Sequence, residues 1–241
     1  MAACSVLAFG AFLFIQSFVP AAFAAPLAAL NSAAGPGVSH NWAGYAATDG
    51  TYTAVRGSWI VPESRATEAV SGDSTWVGIG GAESTDLIQA GTEAITDSKG
   101  RMRYFAWYEL LPETAKRISS LSVRPGDEIS VSVGKQSGND WLIRIENRTT
   151  GDTFEKNVSY ESSLSSVEWI QERPTGKDRL VALNDFGDVT FSAAGAVADG
   201  EEATIEEAGA KPLSLIGERK ESLAMPSALS ASKSGFTVSR R

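Results

Sequence analysis

Apolar and polar positions alternate in short runs along most of the chain, and these runs are rich in β-branched and aromatic residues. Tyr52–Val61, Ser74–Ile79, Tyr104–Leu110, Glu128–Val133 and Trp141–Glu146 carry the pattern, and several keep a period of two. A period of two sends successive side chains to opposite faces of a pleated strand, so each run predicts a strand with one face on a core. Turn formers separate the runs: Pro62, Gly80-Gly81, Ser98-Lys99-Gly100, Pro125-Gly126-Asp127, Ser137-Gly138-Asn139-Asp140 and Thr150-Gly151-Asp152. Strand and turn alternating over roughly two hundred residues predict an all-β domain, a sandwich or a barrel. Helical periodicity is weak, and Ala203–Ala210 is the best short candidate.

The beginning of the chain departs from this texture. Residues 1–24 are apolar and uncharged and end in Ala22-Phe23-Ala24, the small-x-small form that signal peptidase reads. They predict a signal peptide and a secreted, extracellular protein. An uncleaved anchor is the alternative, although Pro20 interrupts the run and its length barely spans a bilayer. Residues 25–38 are small, uncharged and rich in Ala, Gly and Pro, and read as a linker or short pro-segment. From 39 to 241 no further break is long enough to separate domains, which predicts one domain.

Composition narrows the chemistry. With 29 acidic against 21 basic residues the formal charge is -8, the opposite of a nucleic-acid footprint. A hydrophobic content of 43% is too high for wholesale disorder. Cys4, the one cysteine, lies in the leader, so the mature chain has no disulfide framework. His40 is the one histidine, which excludes a multi-histidine zinc site and leaves a Ser-His or Cys-His pair a single candidate base. No metal or cofactor is called for. Chemistry must come from carboxylates, amides, hydroxyls or a bound ion.

Four segments set such groups beside aromatics. Asn41-Trp42-Ala43-Gly44-Tyr45 is readable simply as an N-terminal strand pinned to the sandwich. Asp86–Gly91 places Gln89 inside an apolar strand, where a buried amide must find partners. Trp107–Glu113 puts Glu109 on an aromatic strand. In Ser165–Glu172, period two sets Glu168, Ile170 and Glu172 on one face and Val167, Trp169 and Gln171 on the other. Each polar residue alone is more often a hydrogen-bonded strand residue than a catalyst; their order along the chain carries more information. Glu201-Glu202 and Glu206-Glu207 read as solvated surface. Asn147-Arg148-Thr149 and Asn157-Val158-Ser159 fit the glycosylation pattern.

That order resembles the glutamic peptidases of the eqolisin type. The resemblance rests on Asn41–Tyr45, Trp59-Ile60-Val61-Pro62, Trp76–Gly81, Leu87–Gly91, Ala106–Glu109 with Pro112-Glu113, Pro125-Gly126-Asp127, Glu146–Gly151 and Val167–Glu172. It continues to the end through Met225-Pro226-Ser227 and Gly235–Val238 and covers nearly the whole mature chain. It implies a β-sandwich of two antiparallel sheets, a concanavalin-like jelly roll, and secreted acid endopeptidase activity on polypeptides. The catalytic pair it implies falls on Gln89 and Glu168, with Trp76, Trp107 and Glu109 lining the cleft. Gly80, Glu93 and Leu111 stand where the family carries an acid, an Asp and often a Tyr.

The chemistry that follows has Glu168 take a proton from the attacking water and return it to the leaving nitrogen, while Gln89 donates to the oxyanion. An unperturbed glutamate, at roughly 4.3, would be partly ionised in mild acid. Two other readings remain: a sandwich glycoside hydrolase using Glu109 and Glu168, and a secreted binding module without turnover. A calcium-dependent lectin is disfavoured because Asp-rich loops are not evident. A monomer is the default expectation, with no membrane contact after signal cleavage.

Overall fold

A computed structural model describes residues 37–97, 99–176 and 179–241. The expected signal peptide and nearly all of the expected linker fall outside the described residues. Seventeen strands follow in order: β1 Val38–Ser39, β2 Trp42–Ala47, β3 Tyr52–Ile60, β4 Ser71–Gly80, β5 Leu87–Thr96, β6 Met102–Leu110, β7 Lys116–Ile118, β8 Glu128–Ser137 and β9 Asp140–Asn147. The remainder are β10 Asp152–Ser159, β11 Val167–Glu172, β12 Ala182–Leu183, β13 Asp188–Ala198, β14 Glu201–Ala203, β15 Lys211–Ile216, β16 Ser222–Pro226 and β17 Phe236–Arg240. Every run read as a strand from the sequence is one.

The strands form two facing sheets. One runs β10–β9–β8–β3–β13–β17–β16–β15–β1, with β14 beside the end of β13. The other runs β15–β2–β11–β4–β5–β6–β7. Strand β15 serves both, its first half pairing with β2 and its second with β1 and β16. Pairing is antiparallel throughout except for the short β1–β15 and β12–β4 contacts. The architecture is the predicted sandwich of antiparallel sheets.

The two sheets differ in burial, and the expectation of one core-facing side per strand holds for only one of them. In β8 and β9 buried and half-exposed residues alternate, as one-sided strands require. In β4, β5 and β11 every residue is buried, so the second sheet is covered on both faces. Its inner face joins the main core, where Phe191 stacks on Phe236 at 4.8 Å and tilts against Trp59 at 5.6 Å. Truncating one of these large side chains would cost about 3–5 kcal/mol. Each inner-face indole N–H is satisfied: Trp59 donates to Thr92 Oγ1, Trp141 to the Tyr160 carbonyl and Trp169 to the Arg56 carbonyl. At the same face Asp73 accepts from Gln171 Nε2 at 3.1 Å and Asn184 Nδ2 at 2.6 Å, so Gln171 is a structural amide.

The helix expected over 203–210 is absent, and the described residues contain no helix at all. Thr204 and Glu207 do form the reciprocal bonds of a helix N-terminus. Gly209, at φ +78°, then stops the chain after one turn and returns it to β15. The acidic pairs 201–202 and 206–207 are exposed, as read from the sequence.

Candidate active site

The outer face of the second sheet is organised in cross-strand rows. One row places Glu168 of β11, Gly78 of β4, Gln89 of β5 and Glu109 of β6 side by side. Two residues along lies Ile170, Trp76, Gly91, Trp107 and, on β7, Arg117. A further two residues along lies Glu172, Ser74, Glu93 and Phe105. All five residues singled out from the sequence therefore share one face. Trp42, Leu87 and Leu111 complete an apolar cluster with Trp76, Trp107 and Ile170, separate from the main core. Trp76 and Trp107 are thus not sandwich core.

Gly78 opens the gap between the two proposed reacting groups. Strands lie ~4.8 Å apart, so Glu168 and Gln89 are separated by roughly 10 Å at Cα, and the position between them on β4 carries no side chain of its own. A Cβ at Gly78 would meet Gln89 Cβ at 3.0 Å and Leu87 Cδ1 at 2.9 Å. Glycine is what the spacing demands.

Gln89 is held from its far side, its Nε2 donating to Glu109 Oε2 at 2.7 Å. That leaves the second amide hydrogen free. Both Glu168 oxygens, Gln89 Oε1, Glu109 Oε1, Trp42 Nε1, Trp107 Nε1 and Arg117 Nε are buried without a hydrogen-bond partner. These are seven of the nine such atoms among the described residues. Buried polar atoms are normally paired, so their concentration on one face marks it as built to meet a ligand. The contrast with the satisfied inner-face indoles makes the same point.

Burial governs the electrostatics. It raises Glu168, fully buried, well above the ordinary carboxylate range, and the nearby Ser166 hydroxyl, short of a formed hydrogen bond, offsets only part of this. The expectation of an unperturbed glutamate is therefore corrected. Burial, then the charge of Glu172, pushes Glu109 up to about 8. Burial likewise lifts Glu93 and Glu172 to about 7, against the pull of Arg117 on the first and of the Trp76 N–H on the second. The open end of β5 and β6 is clamped by Tyr160, whose hydroxyl accepts from Leu87 N and donates to the Leu111 carbonyl, each at 2.8 Å.

Sequence reasoning did not assign Glu172, Glu93, Asn41, Trp42 or Arg117 to this face as a group. The period-two reading already set Glu172 beside Glu168; the rest depends on strand order. At Gly80, φ is +91° and a Cβ would lie 2.4 Å from the Asp86 carbonyl oxygen, so the bend itself requires glycine. Asp86 accepts from Ser163 N at 2.8 Å and from the Ser162 and Ser163 hydroxyls, tying the segment before β11 to the start of β5.

A carboxyl and an amide face each other across a strand position that carries no side chain, with neither thiol nor imidazole beside them. The profile of the Peptidase A4 family matches residues 40–240, and the chain belongs to that family, the eqolisins. It is 33% identical to aspergillopepsin-2 of Aspergillus niger, covering 71% of this chain and 69% of that protein. It is 30% identical to scytalidopepsin B of Scytalidium lignicola, covering 71% and 68%. The fold superimposes on aspergilloglutamic peptidase from Aspergillus niger with a TM-score of 0.62 at 30% identity, over 71% of this chain and 99% of that one. On scytalido-glutamic peptidase the TM-score is 0.72 at 23% identity, over 84% and 98%. The enzyme is a glutamic endopeptidase, and its substrates are polypeptides.

Proposed function

We propose that Glu168 and Gln89 hydrolyse the peptide bond of a polypeptide lying over Gly78. Ionised Glu168 takes a proton from the attacking water as the water oxygen bonds to the carbonyl carbon. Gln89 Nε2 donates to the oxygen that gains charge. Glu168 then returns the proton to the departing nitrogen as the C–N bond breaks. The observation that carries this reading is the Glu168–Gly78–Gln89–Glu109 row.

Its raised proton affinity gives Glu168 two properties. Fewer molecules are ionised at a given acid pH than for a free glutamate, while each ionised carboxylate is a stronger base and its conjugate acid still protonates an amine. Glu109 positions the Gln89 amide, and Trp76 and Trp107 form the cleft floor. A glutamine does not titrate, so the oxyanion donor persists in acid where an imidazole base would be protonated.

The same geometry weighs against a glycosidase. Glu109 and Glu168 stand three strands apart, about 14 Å at Cα, with Gln89 in between. We take the enzyme to be secreted, through cleavage after residue 24, with 25–38 as linker or short pro-segment. It would act in acid as a monomer without metal or cofactor. Among the described residues no helix is long and apolar enough to cross a membrane. A solved structure of scytalido-glutamic peptidase, 25% identical, holds a peptide-based transition state analogue.

The test is digestion of a denatured protein from pH 2 to 7 by the wild type, Glu168→Gln and Gln89→Ala, with pepstatin present to exclude an aspartic peptidase. Pepstatin-resistant acid cleavage lost in both variants is expected. Equal cleavage by folded variants would end the assignment.

A further inference from the structure

Resting on the reading of Gln89 and Glu168 as the reacting pair, we propose that Tyr160 is a positioning residue for their reaction. Its hydroxyl, inserted into the β5–β6 ladder, sets the separation of the two strands beside Gln89 and Glu109.

The register reveals the insertion. Gln89 pairs with Glu109 and Ile88 with Leu110, so Leu87 and Leu111 form the next rung. Leu111 N donates directly to the Leu87 carbonyl at 3.0 Å. A hydrogen-bonded antiparallel pair exchanges two such bonds. Here the second is relayed: Leu87 N donates to the Tyr160 hydroxyl, and that hydroxyl donates to the Leu111 carbonyl, each at 2.8 Å. Two such legs meeting at a near-tetrahedral oxygen span roughly 4.6 Å, whereas a direct bond spans about 2.9 Å. The phenol wedges that side of the rung open.

The wedge stands where the reacting geometry is set. Bonded rungs recur at every second residue, so Gln89–Glu109 is the next rung of the same kind. On it Gln89 Nε2 donates to Glu109 Oε2 at 2.7 Å. Leu87 and Leu111 lie two residues from Gln89 and Glu109 on the same face, and pack in one cluster with Trp76 and Trp107. Leu87 Cδ1 is also the atom nearest a Cβ built on Gly78, at 2.9 Å. A shift of Leu87 therefore alters the gap between Glu168 and Gln89 as well as the seat of the amide.

Tyr160 is itself held from the other sheet. It follows β10, its N donates to the Asn139 carbonyl at 2.8 Å, and its carbonyl accepts from Trp141 Nε1 at 3.0 Å. Both partners belong to β9 or to the turn that precedes it, so a side chain anchored on the first sheet fixes a rung of the second. Burial, against the pull of the Leu87 N–H, pushes the hydroxyl up to about 12, so it keeps the proton it donates wherever carboxyl chemistry runs. Tyr45 offers the contrast: its hydroxyl donates to the Ser227 carbonyl at 2.9 Å from the main core, and touches neither β5 nor β6.

The experiment measures kcat and KM of Tyr160→Phe, Tyr45→Phe, Glu109→Ala and the double variant Tyr160→Phe/Glu109→Ala on one fluorogenic peptide, with folded enzyme counted by near-ultraviolet circular dichroism. Without the oxygen the rung can close by roughly 1.7 Å, and a 1 Å misplacement can cost about a hundredfold. Tyr160→Phe should lower kcat by about tenfold with KM within about twofold of wild type, while Tyr45→Phe, which loses a hydroxyl bond of the same kind, keeps its kcat. In Glu109→Ala, where the Gln89 amide is already loose, the same substitution should cost less than about threefold. A Tyr160→Phe kcat within about twofold of wild type, a loss confined to KM, or two losses that simply multiply in the double variant overturns the positioning role. If Gln89→Ala is inactive at the same time, the reading of the reacting pair stands; a fully active Gln89→Ala overturns both. Should Tyr160→Phe not fold, Trp141→Phe, which releases the Tyr160 carbonyl and leaves the hydroxyl, decides by the same split of kcat from KM.

Discussion

Gly78→Ala tests the site with a single methyl group. That methyl would sit 2.9 Å from Leu87 Cδ1, 3.0 Å from Gln89 Cβ and 3.1 Å from Trp76 Cζ3. Carbon atoms prefer separations of roughly 3.5–4.0 Å, so neighbours must retreat by about half an ångström or more. Overpacking of this kind costs about 1–3 kcal/mol, which for a domain of this size lowers Tm by several degrees and leaves the protein folded. Reacting groups tolerate about 0.5 Å of displacement, and a 1 Å misplacement can cost about a hundredfold. The methyl also occupies the space where the scissile group would lie. We therefore expect kcat/KM on a fluorogenic peptide to fall by about tenfold to a hundredfold. Gly134→Ala is the control, because a Cβ there meets its nearest atoms at an ordinary 3.7 and 3.9 Å on the other sheet; it should leave activity unchanged. If Gly78→Ala stays within about twofold of wild type while Gln89→Ala is inactive, the placement of the reacting group over Gly78 is refuted.

Three further outcomes follow from burial and pairing. Asp73 at about 6, Glu93 and Glu172 at about 7 and Glu109 at about 8 bind protons more tightly folded than unfolded. Their contribution is complete below about pH 4 and lost as pH rises through the folded values to about 8; moving Glu172 from 4.5 to about 7 alone corresponds to about 3 kcal/mol. Denaturation midpoints should decline from pH 4.5 to 8, and a rise would contradict the buried carboxyls. Glu109→Gln keeps a carbonyl acceptor for Gln89 Nε2, so it should retain more kcat than Glu109→Ala and show a shallower fall of stability between pH 5 and 8; equal losses would remove the positioning role. In a host that glycosylates, only Asn157 should be modified: it is exposed on β10, whereas Asn147 is fully buried and donates to Asp127 Oδ2 at 2.8 Å and to the Ser122 carbonyl. Glycopeptide mapping that finds Asn147 occupied would show that segment folded otherwise.

Much of this was legible in local pattern. Period two located the strands and put Glu168 and Trp169 on opposite faces, because strand geometry is a nearest-neighbour property. The helical reading failed at 203–210, where a capping box forms a single turn that Gly209 closes before any helix is built. Local pattern also gave Glu168 the proton affinity of a free side chain, since burial is decided by residues far along the chain.

From the sequence came the all-β class, the absence of thiol and imidazole chemistry, the face each residue takes and, through resemblance, the residues to watch. Tertiary structure alone decided which strands are neighbours. Strand β11 lies between β2 and β4 although more than a hundred residues separate it from β2, and that insertion brings Glu168 across Gly78 from Gln89. Register then aligns Glu172 with Glu93 and buries their carboxyls together, so that long-range pairing rather than any local motif sets the distances and proton affinities on which the chemistry depends.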